Sequence, residues 1–246
     1  MFSIFKKSRP EIPVGQLLQT DMHSHFVPGI DDGAADITTS LELITGMQKL
    51  GFSKLITTPH IIYDLYRNDR STIEPAYNEL ITAKEEKQLN ISVSFAAEYM
   101  LDDHFNELLD KGEPLLTVKD NLVLIEMSFV SPPIGYKETI FNLQLKGYQP
   151  ILAHPERYGY AAKNRAMYRE LKEAGCLFQV NCLSFAGYYG PESAAAAKYL
   201  VNEDMIDLAG TDCHHLRHLA ALHNPSISKA LLPLVEKGRL QNNLLT

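Results

Sequence analysis

The sequence predicts an α/β fold of about seven βα units, one fewer than the eight of a regular (β/α) barrel. Short apolar runs rich in Val, Ile, Leu and Phe are typical of parallel strands that are buried on both faces. The segments between these runs have the spacing of amphipathic helices. The 246 residues, 45% of them hydrophobic, match the length of about 250 residues that one such barrel takes.

The predicted strands follow one another with a polar residue at the end of nearly every run. In chain order they are residues 17–20, 54–59, 91–97, 122–125, 150–153, 177–180 and 205–211. All but the 177–180 run lead into a residue that can bind a divalent cation. These candidate ligands are His23, His25, His60, Glu98, Glu126, His154, Asp212 and His214. Because the carboxyl ends of barrel strands meet on one face, we expect the candidates to converge there.

The intervening segments carry helix signals. In the first of them, Ile37, Leu41, Ile44 and Met47 recur at helical spacing. Glycines that favour helix ends follow this and three later helices, at Gly51, Gly112, Gly147 and Gly175. Residues 71–74 fit a capping box that opens a helix running to about residue 87.

Composition indicates one soluble enzyme domain. We assign residues 1–18 to an N-terminal extension and 19–246 to a single domain, because no linker or low-complexity tract divides the chain. No apolar stretch approaches the ~20 residues of a transmembrane helix, and residues 2–9 lack the apolar core of a signal peptide. Three cysteines, an odd number, argue against a disulfide framework and for a reducing compartment. These features predict a cytoplasmic protein without a transmembrane segment.

Net charge bears on the partner. The chain carries a formal charge of −7, whereas nucleic-acid binders usually display a basic surface that neutralises phosphates. Bound cations would cancel the acidic candidates locally, so a small phosphorylated group can bind to a chain that is negative overall. We therefore expect no nucleic-acid partner.

Seven short motifs together resemble the polymerase and histidinol phosphatase (PHP) superfamily, and within it the capsular-polysaccharide-type bacterial protein-tyrosine phosphatases. The resemblance covers residues 19–223. Its order and spacing are more specific than any single motif. The motifs are His23-Ser24-His25, residues 28–33, Thr58-Pro59-His60, Ala97-Glu98-Tyr99, Ile125-Glu126, residues 153–158 and residues 211–214.

The resemblance implies an incomplete, distorted (β/α)7 TIM-like barrel, the PHP fold, holding about two to three divalent metal ions. Manganese is favoured and iron or zinc are alternatives, because mixed nitrogen and oxygen donors suit all three. By position, His23, His25, Glu98 and Asp212 hold one metal, and Glu98 bridges to a second held by Glu126 and His154. The third is held by Asp32, His60 and His214. Only the family pattern singles out Asp32; a glycine-bracketed turn is the alternative for Asp31 and Asp32.

Two arginines are candidates for binding the phosphate. Arg157, in the Glu156-Arg157 pair, resembles the phosphate-binding arginine of the family, with a surface salt bridge as the alternative. Arg217 is the second candidate, although it follows the Asp212-Cys213-His214 motif at a shorter interval than in the better-known members.

The function that the resemblance implies is that of a metal-dependent protein-tyrosine phosphatase. Its expected partner is a phosphotyrosine-bearing protein, a membrane-associated bacterial tyrosine autokinase that controls capsular or exopolysaccharide synthesis and export. A small-molecule phosphatase acting on a compound like histidinol phosphate, or a phosphodiesterase, is the alternative. A cysteine-dependent tyrosine phosphatase is excluded, because the sixth residues after the three cysteines are Cys182, Tyr188 and Leu219 rather than the arginine that this chemistry requires.

Overall fold

A computed structural model describes residues 12–245 of the chain. Strands and helices alternate along it, as predicted. The strand segments are β1 (Thr20–Asp21), β2 (Lys54–Thr57), β3 (His60–Ile61), β4 (Ser92–Phe95), β5 (Glu98–Met100), β6 (Leu122–Glu126), β7 (Gln149–Ala153), β8 (Leu177–Asn181) and β9 (Leu208–Gly210).

The helices lie between and after these strands. They are α1 (Val14–Leu18), α2 (Ile37–Lys49), α3 (Arg70–Glu86), α4 (Asp103–Lys111), α5 (Tyr136–Leu145), α6 (Gly159–Lys163), α7 (Ala166–Glu173), α8 (Pro191–Asn202), α9 (Leu216–Ala221) and α10 (Pro225–Glu236). Short 3-10 turns occupy Pro155–Arg157, Cys182–Ala186 and Asn242–Leu245. Within the described range, none of the helices combines the length and the apolar character needed to cross a bilayer.

All strand pairs are parallel. One sheet has the order β1-β2-β4 and the other the order β3-β5-β6-β7-β8-β9. The predicted run 54–59 contains β2 of the first sheet and leads directly into β3 of the second sheet. In the same way, the run 91–97 contains β4 and leads into β5. The nine segments thus occupy seven positions, which confirms the predicted α/β class and the seven βα units.

Backbone hydrogen bonds join the first strand position to the last. Asp212 N donates to His23 O at 2.7 Å, and His25 N donates to Cys213 O at 3.0 Å. Below them, the buried Asp21 carboxylate accepts from the backbone N of Thr211 at 2.9 Å and from its Oγ1 at 2.7 Å. The segments that follow β1 and β9 are therefore fixed side by side.

The apolar residues form two clusters because strand side chains alternate. On β6, Leu124 belongs to a small cluster that includes Ile56, Ile151 and Leu208, one from each of three other strands. Val123 and Ile125 point the other way, into the large cluster that also contains the helix residues. Glu126 is two residues after Leu124 on the same strand, so its side chain points to the same side as the small cluster.

Two local predictions were wrong. Residues 17–20 do not form one strand, because α1 ends at Leu18 and the strand is limited to Thr20–Asp21. A short apolar run does not distinguish strand from buried helix, and Val14 and Leu18 pack α1 into the core. The capping box of α3 lies two residues earlier than predicted, with Asp69 as N-cap and Thr72 as its partner.

The four glycines after the helices confirm the predicted helix ends, since Gly51, Gly112, Gly147 and Gly175 all have positive φ. Residues 1–11 of the predicted N-terminal extension lie outside the described residues. The predicted domain boundary after residue 18 stays a prediction.

Candidate metal centre

The nine predicted ligands lie together. Eight of them form three groups in which the ligand atoms are within 4.8 Å of one another. The groups are His23, His25, Glu98 and Asp212; His25, Asp32, His60 and His214; and His60, Glu98 and Glu126. The ninth, His154, places its Nε2 at 3.1 Å from Glu98 Oε1.

Glu98 lies at the centre of the cluster. Its Oε2 is 3.0 Å from His23 Nε2 and 3.2 Å from His60 Nδ1, whereas its Oε1 faces His154. The side chain is fully buried. Its two oxygens therefore face different imidazoles, an arrangement that suits a carboxylate bridging two cations.

The two carboxylate oxygens of Asp212 have different neighbours. Oδ1 lies 3.3 Å from His23 Nε2 and 3.4 Å from His25 Nε2. Oδ2 faces away from these rings and accepts hydrogen bonds from Arg157 and Asn181. Asp212 has a φ of 49°, a value uncommon outside glycine that occurs more often at functional sites.

The third group lies nearest to solvent. Asp32 Oδ1 is 3.5 Å from the Nε2 atoms of both His60 and His214, and the Asp32 side chain is 53% exposed. A hydrogen bond with His214 lowers the pKa of Asp32 to about 2, although partial burial opposes the shift. His60 belongs both to this group and to the group of Glu98 and Glu126, because its Nδ1 lies 2.9 Å from Glu126.

Three imidazoles make a hydrogen bond through Nδ1 and direct Nε2 toward a carboxylate of the cluster. His23 Nδ1 contacts Gln179 Oε1 at 2.8 Å, and His25 Nδ1 contacts Asp31 Oδ2 at 2.8 Å. His214 Nδ1 contacts a backbone carbonyl, Asp212 O, at 2.9 Å. Metal-binding histidines are commonly fixed in this way, with the second nitrogen left free for the ion.

Asp31 therefore orients a candidate ligand. It is the buried partner of His25, and it also accepts hydrogen bonds from the backbone N of Gly33 and of His60. The sequence alone predicts only a turn at Asp31. The structure places its neighbour Asp32 in the cluster instead.

The donor set and its electrostatics fit divalent cations. Burial alone would lower the pKa of His60, but the carboxylates of Glu126 and Glu98 raise it to about 9. Among the described residues, His154 Nδ1 is buried without a hydrogen-bond partner, and the buried Glu126 Oε1 makes no hydrogen bond although His60 Nδ1 lies 2.9 Å from it. A concentration of buried carboxylates with unpartnered donor atoms is the environment that a cation stabilises. The cluster holds no thiolate, and its mixed nitrogen and oxygen donors do not distinguish manganese, iron and zinc.

Arg157 lies at the edge of the cluster. Its Nη1 is 2.6 Å from Asp212 Oδ2, and its guanidinium lies over two rings, 4.0 Å from the Tyr189 centroid and 4.8 Å from the Phe129 centroid. It does not pair with Glu156, whose Oε1 accepts from Asn181 N and Ser184 Oγ. The salt bridge that Arg157 makes is therefore with the buried Asp212 and not with its sequence neighbour Glu156.

Arg217 is placed differently. It lies in the first turn of α9 and is exposed. Among the described residues it makes no hydrogen bond or ion pair with the cluster. Its role in phosphate binding stays a prediction.

A family model for capsular polysaccharide synthesis, CpsB/CapC, matches residues 19–238. The chain belongs to the CpsB/CapC family. This confirms the family that the seven motifs resemble.

Named relatives in the CpsB/CapC family are phosphatases. The chain is 29% identical over 197 residues to the tyrosine-protein phosphatase YwqE of Bacillus subtilis, covering 80% of this chain and 78% of that protein. It is 25% identical over 202 residues to the tyrosine-protein phosphatase CpsB of Streptococcus pneumoniae, covering 80% and 83%.

Solved structures agree with the fold. One from work on YwqE and CpsB, described as unique metal-dependent tyrosine phosphatases, matches with a TM-score of 0.78 and 28% identity, covering 89% of this chain and 87% of that one. Histidinol phosphate phosphatase from Lactococcus lactis matches with a TM-score of 0.55 and 14% identity, covering 90% and 93%. The second likeness shows the shared barrel-like fold alone.

Two amides near the cluster were missed by sequence reasoning. β8 brings no ligand, but Gln179 and Asn181 lie on the same face of it, two residues apart. Gln179 Oε1 contacts His23, and Asn181 Nδ2 donates to Asp212 Oδ2 at 2.9 Å. The available signal was the presence of two amides in an otherwise apolar buried strand.

We expect Gln179→Met and Asn181→Leu each to weaken metal binding by about 10- to 100-fold, the usual effect of losing a residue that orients a ligand. Competition with a coloured chelator measures the affinity. Gln144→Leu is the matched control, because that amide donates to Ala174 O on α7's C-terminal side, away from the cluster. Parent-like affinity in both variants would show that the amides do not orient the ligands.

Proposed function

We propose that this chain is a metal-dependent protein-tyrosine phosphatase. The observation that carries the proposal is the convergence of nine His, Asp and Glu side chains on one site with Arg157 beside them. Membership of a family with relatives named tyrosine-protein phosphatases supports the same reaction.

The proposed ligand sets are those of the family pattern. His23, His25, Glu98 and Asp212 would hold one ion, Glu98 with Glu126 and His154 a second, and Asp32, His60 and His214 a third. Manganese is the favoured ion. When bound, such ions supply Lewis-acid activation of water and neutralise phosphate charge.

The protein's own groups would then position the ester. The Arg157 guanidinium presents a planar fork of donors that matches two phosphate oxygens. Asp212 and the stacked Tyr189 ring hold that guanidinium beside the ligands. The leaving group is a phenol with a pKa near 10, so its departure depends less on a general acid than the departure of a serine alkoxide would.

The substrate we propose is a phosphotyrosine-bearing protein, in particular a membrane-associated bacterial tyrosine kinase of capsular or exopolysaccharide synthesis. We propose that the chain acts on it in the cytoplasm. The description of the matching family as one of capsular polysaccharide synthesis supports that setting. A net charge of −7 disfavours nucleic acid as the partner.

A turnover panel tests the function. Parent protein supplied with Mn²⁺ is assayed on a phosphotyrosine peptide, the same peptide with phosphoserine, histidinol phosphate and a phosphodiester. We expect the phosphotyrosine peptide to have the highest kcat/KM. A higher kcat/KM for histidinol phosphate or for the phosphodiester would replace the proposal with the small-molecule phosphatase or phosphodiesterase alternative.

The three cysteines should be dispensable for the chemistry. All are free and buried, and burial raises the pKa of Cys176 to about 12 and the pKa values of Cys182 and Cys213 well above the ordinary range. Buried neutral thiols are poor nucleophiles. We expect a folded Cys176→Ser, Cys182→Ser, Cys213→Ser triple variant to keep turnover within about a few-fold of the parent. A loss of several orders of magnitude would contradict this chemistry.

A further inference from the structure

Phe129 is a large apolar side chain that is not in the core. It lies on the loop that follows β6, three positions after Glu126, and it is 47% exposed. Its ring stacks on the His154 ring with 5.5 Å between centroids and an interplanar angle of 26°. On another side, the guanidinium carbon of Arg157 is 4.8 Å from its centroid.

These two neighbours place Phe129 beside the proposed reaction centre. An ester phosphate that contacts Arg157 and the ligand cluster has its organic group on the solvent side. In an aryl phosphate the ring begins one oxygen atom from phosphorus, and aromatic pairs interact over centroid separations of about 4.5–7 Å. In that pose the phenyl ring of a bound phosphotyrosine would lie within contact range of the exposed part of Phe129.

A second ring lies elsewhere around the cluster. Tyr66 is nearly parallel to the imidazole of His60, at 5.7 Å and 13°, and it is only partly buried. His60 is on β3 and His154 follows β7, with β5 and β6 between those strands in the sheet. The rings of Tyr66 and Phe129 thus border the cluster at separate positions.

Resting on the proposed phosphatase function, we propose that Phe129 is a specificity-determining residue. Its exposed ring packs against the phenyl group of phosphotyrosine and so favours aryl over alkyl phosphate esters. A phosphoserine ester has only a methylene between its oxygen and the peptide backbone, and it has no ring to place there. The competing interpretation is that Phe129 only supports Arg157, in which case every phosphate ligand is affected alike.

Inhibition constants separate the two interpretations without depending on the leaving group. Parent, Phe129→Leu and Phe129→Ala are loaded with Mn²⁺, and Ki is measured for benzylphosphonate and for methylphosphonate. Leucine keeps apolar bulk but has no ring. Phe141→Leu is the matched control, because Phe141 is another exposed phenylalanine, 58% exposed and on α5.

We expect Phe129→Leu to raise the Ki of benzylphosphonate by about three- to tenfold, the range for one aromatic pair, and Phe129→Ala to raise it further. The Ki of methylphosphonate should stay within about twofold of the parent value, and Phe141→Leu should change neither constant. Equal increases for both inhibitors, or no change for benzylphosphonate, would overturn the proposal. Turnover of phosphotyrosine peptide by the parent is measured first, so failure of the proposed function is seen separately.

Discussion

Glu98→Gln is expected to lose bound metal and phosphatase activity together. Glu98 is fully buried, with one oxygen toward His23 and His60 and the other toward His154. Glutamine has nearly the same shape, but it removes the negative charge and turns one ligand oxygen into an NH2 group that cannot bind a cation. The expected loss in metal affinity is about 100- to 5,000-fold, because removing one member of a buried charge cluster costs about 3–5 kcal/mol.

Elemental analysis after gel filtration measures the metal content, and phosphotyrosine-peptide turnover measures the activity. Glu107→Gln is the control, since Glu107 is 63% exposed and pairs with Lys111 on the surface of α4. Circular dichroism checks that both variants are folded. A Glu98→Gln protein that retains the parent's metal content and turnover would show that Glu98 is not a bridging ligand.

Arg157→Lys should separate phosphate binding from metal binding. Lysine can keep an ion pair with Asp212, but it cannot present two parallel donors to phosphate or stack a planar group on Tyr189 as the guanidinium does. We expect unchanged metal content and a kcat/KM lowered by about 10- to 1,000-fold, equivalent to ~1.4–4 kcal/mol for one charged contact that strengthens in the transition state.

Arg217→Lys is the comparison for this variant. Arg217 is exposed on α9, so its effect should be in the same direction and smaller. If Arg157→Lys turns over phosphotyrosine peptide as fast as the parent, the phosphate is bound by other groups and Arg157 serves only to hold Asp212.

The sequence predicted that the candidate ligands would lie together, because they follow the predicted strands at regular places. A parallel barrel brings the ends of its strands to one face, so residues as distant as His23, Glu98 and Asp212 could be expected to meet. Local signals were weaker. The apolar run at residues 17–20 is compatible with either a strand or a buried helix. In the structure, helix α1 extends to Leu18, because Val14 and Leu18 pack together into the core.

The residues that orient the ligands could not be predicted from spacing. Gln179 reaches His23 across 156 positions and Asn181 reaches Asp212 across 31, and an amide in an apolar run does not indicate its partner. The two contacts of the His60 ring could not be predicted either. Which ring nitrogen faces Asp32 and which faces Glu126 depends on the side-chain rotamer. The same applies to Phe129, whose exposure depends on the path of the loop after β6.

Metal titration of chelator-treated protein tests the central claim most directly. The protein is stripped of metal, Mn²⁺ is added back in measured equivalents, and hydrolysis of a phosphotyrosine peptide is followed at each step. We predict that turnover is lost on stripping and returns on addition, reaching a plateau at about two to three equivalents per chain, as expected for a multi-metal hydrolytic site. Full turnover by protein shown to contain no metal, unchanged by chelator, would contradict the account.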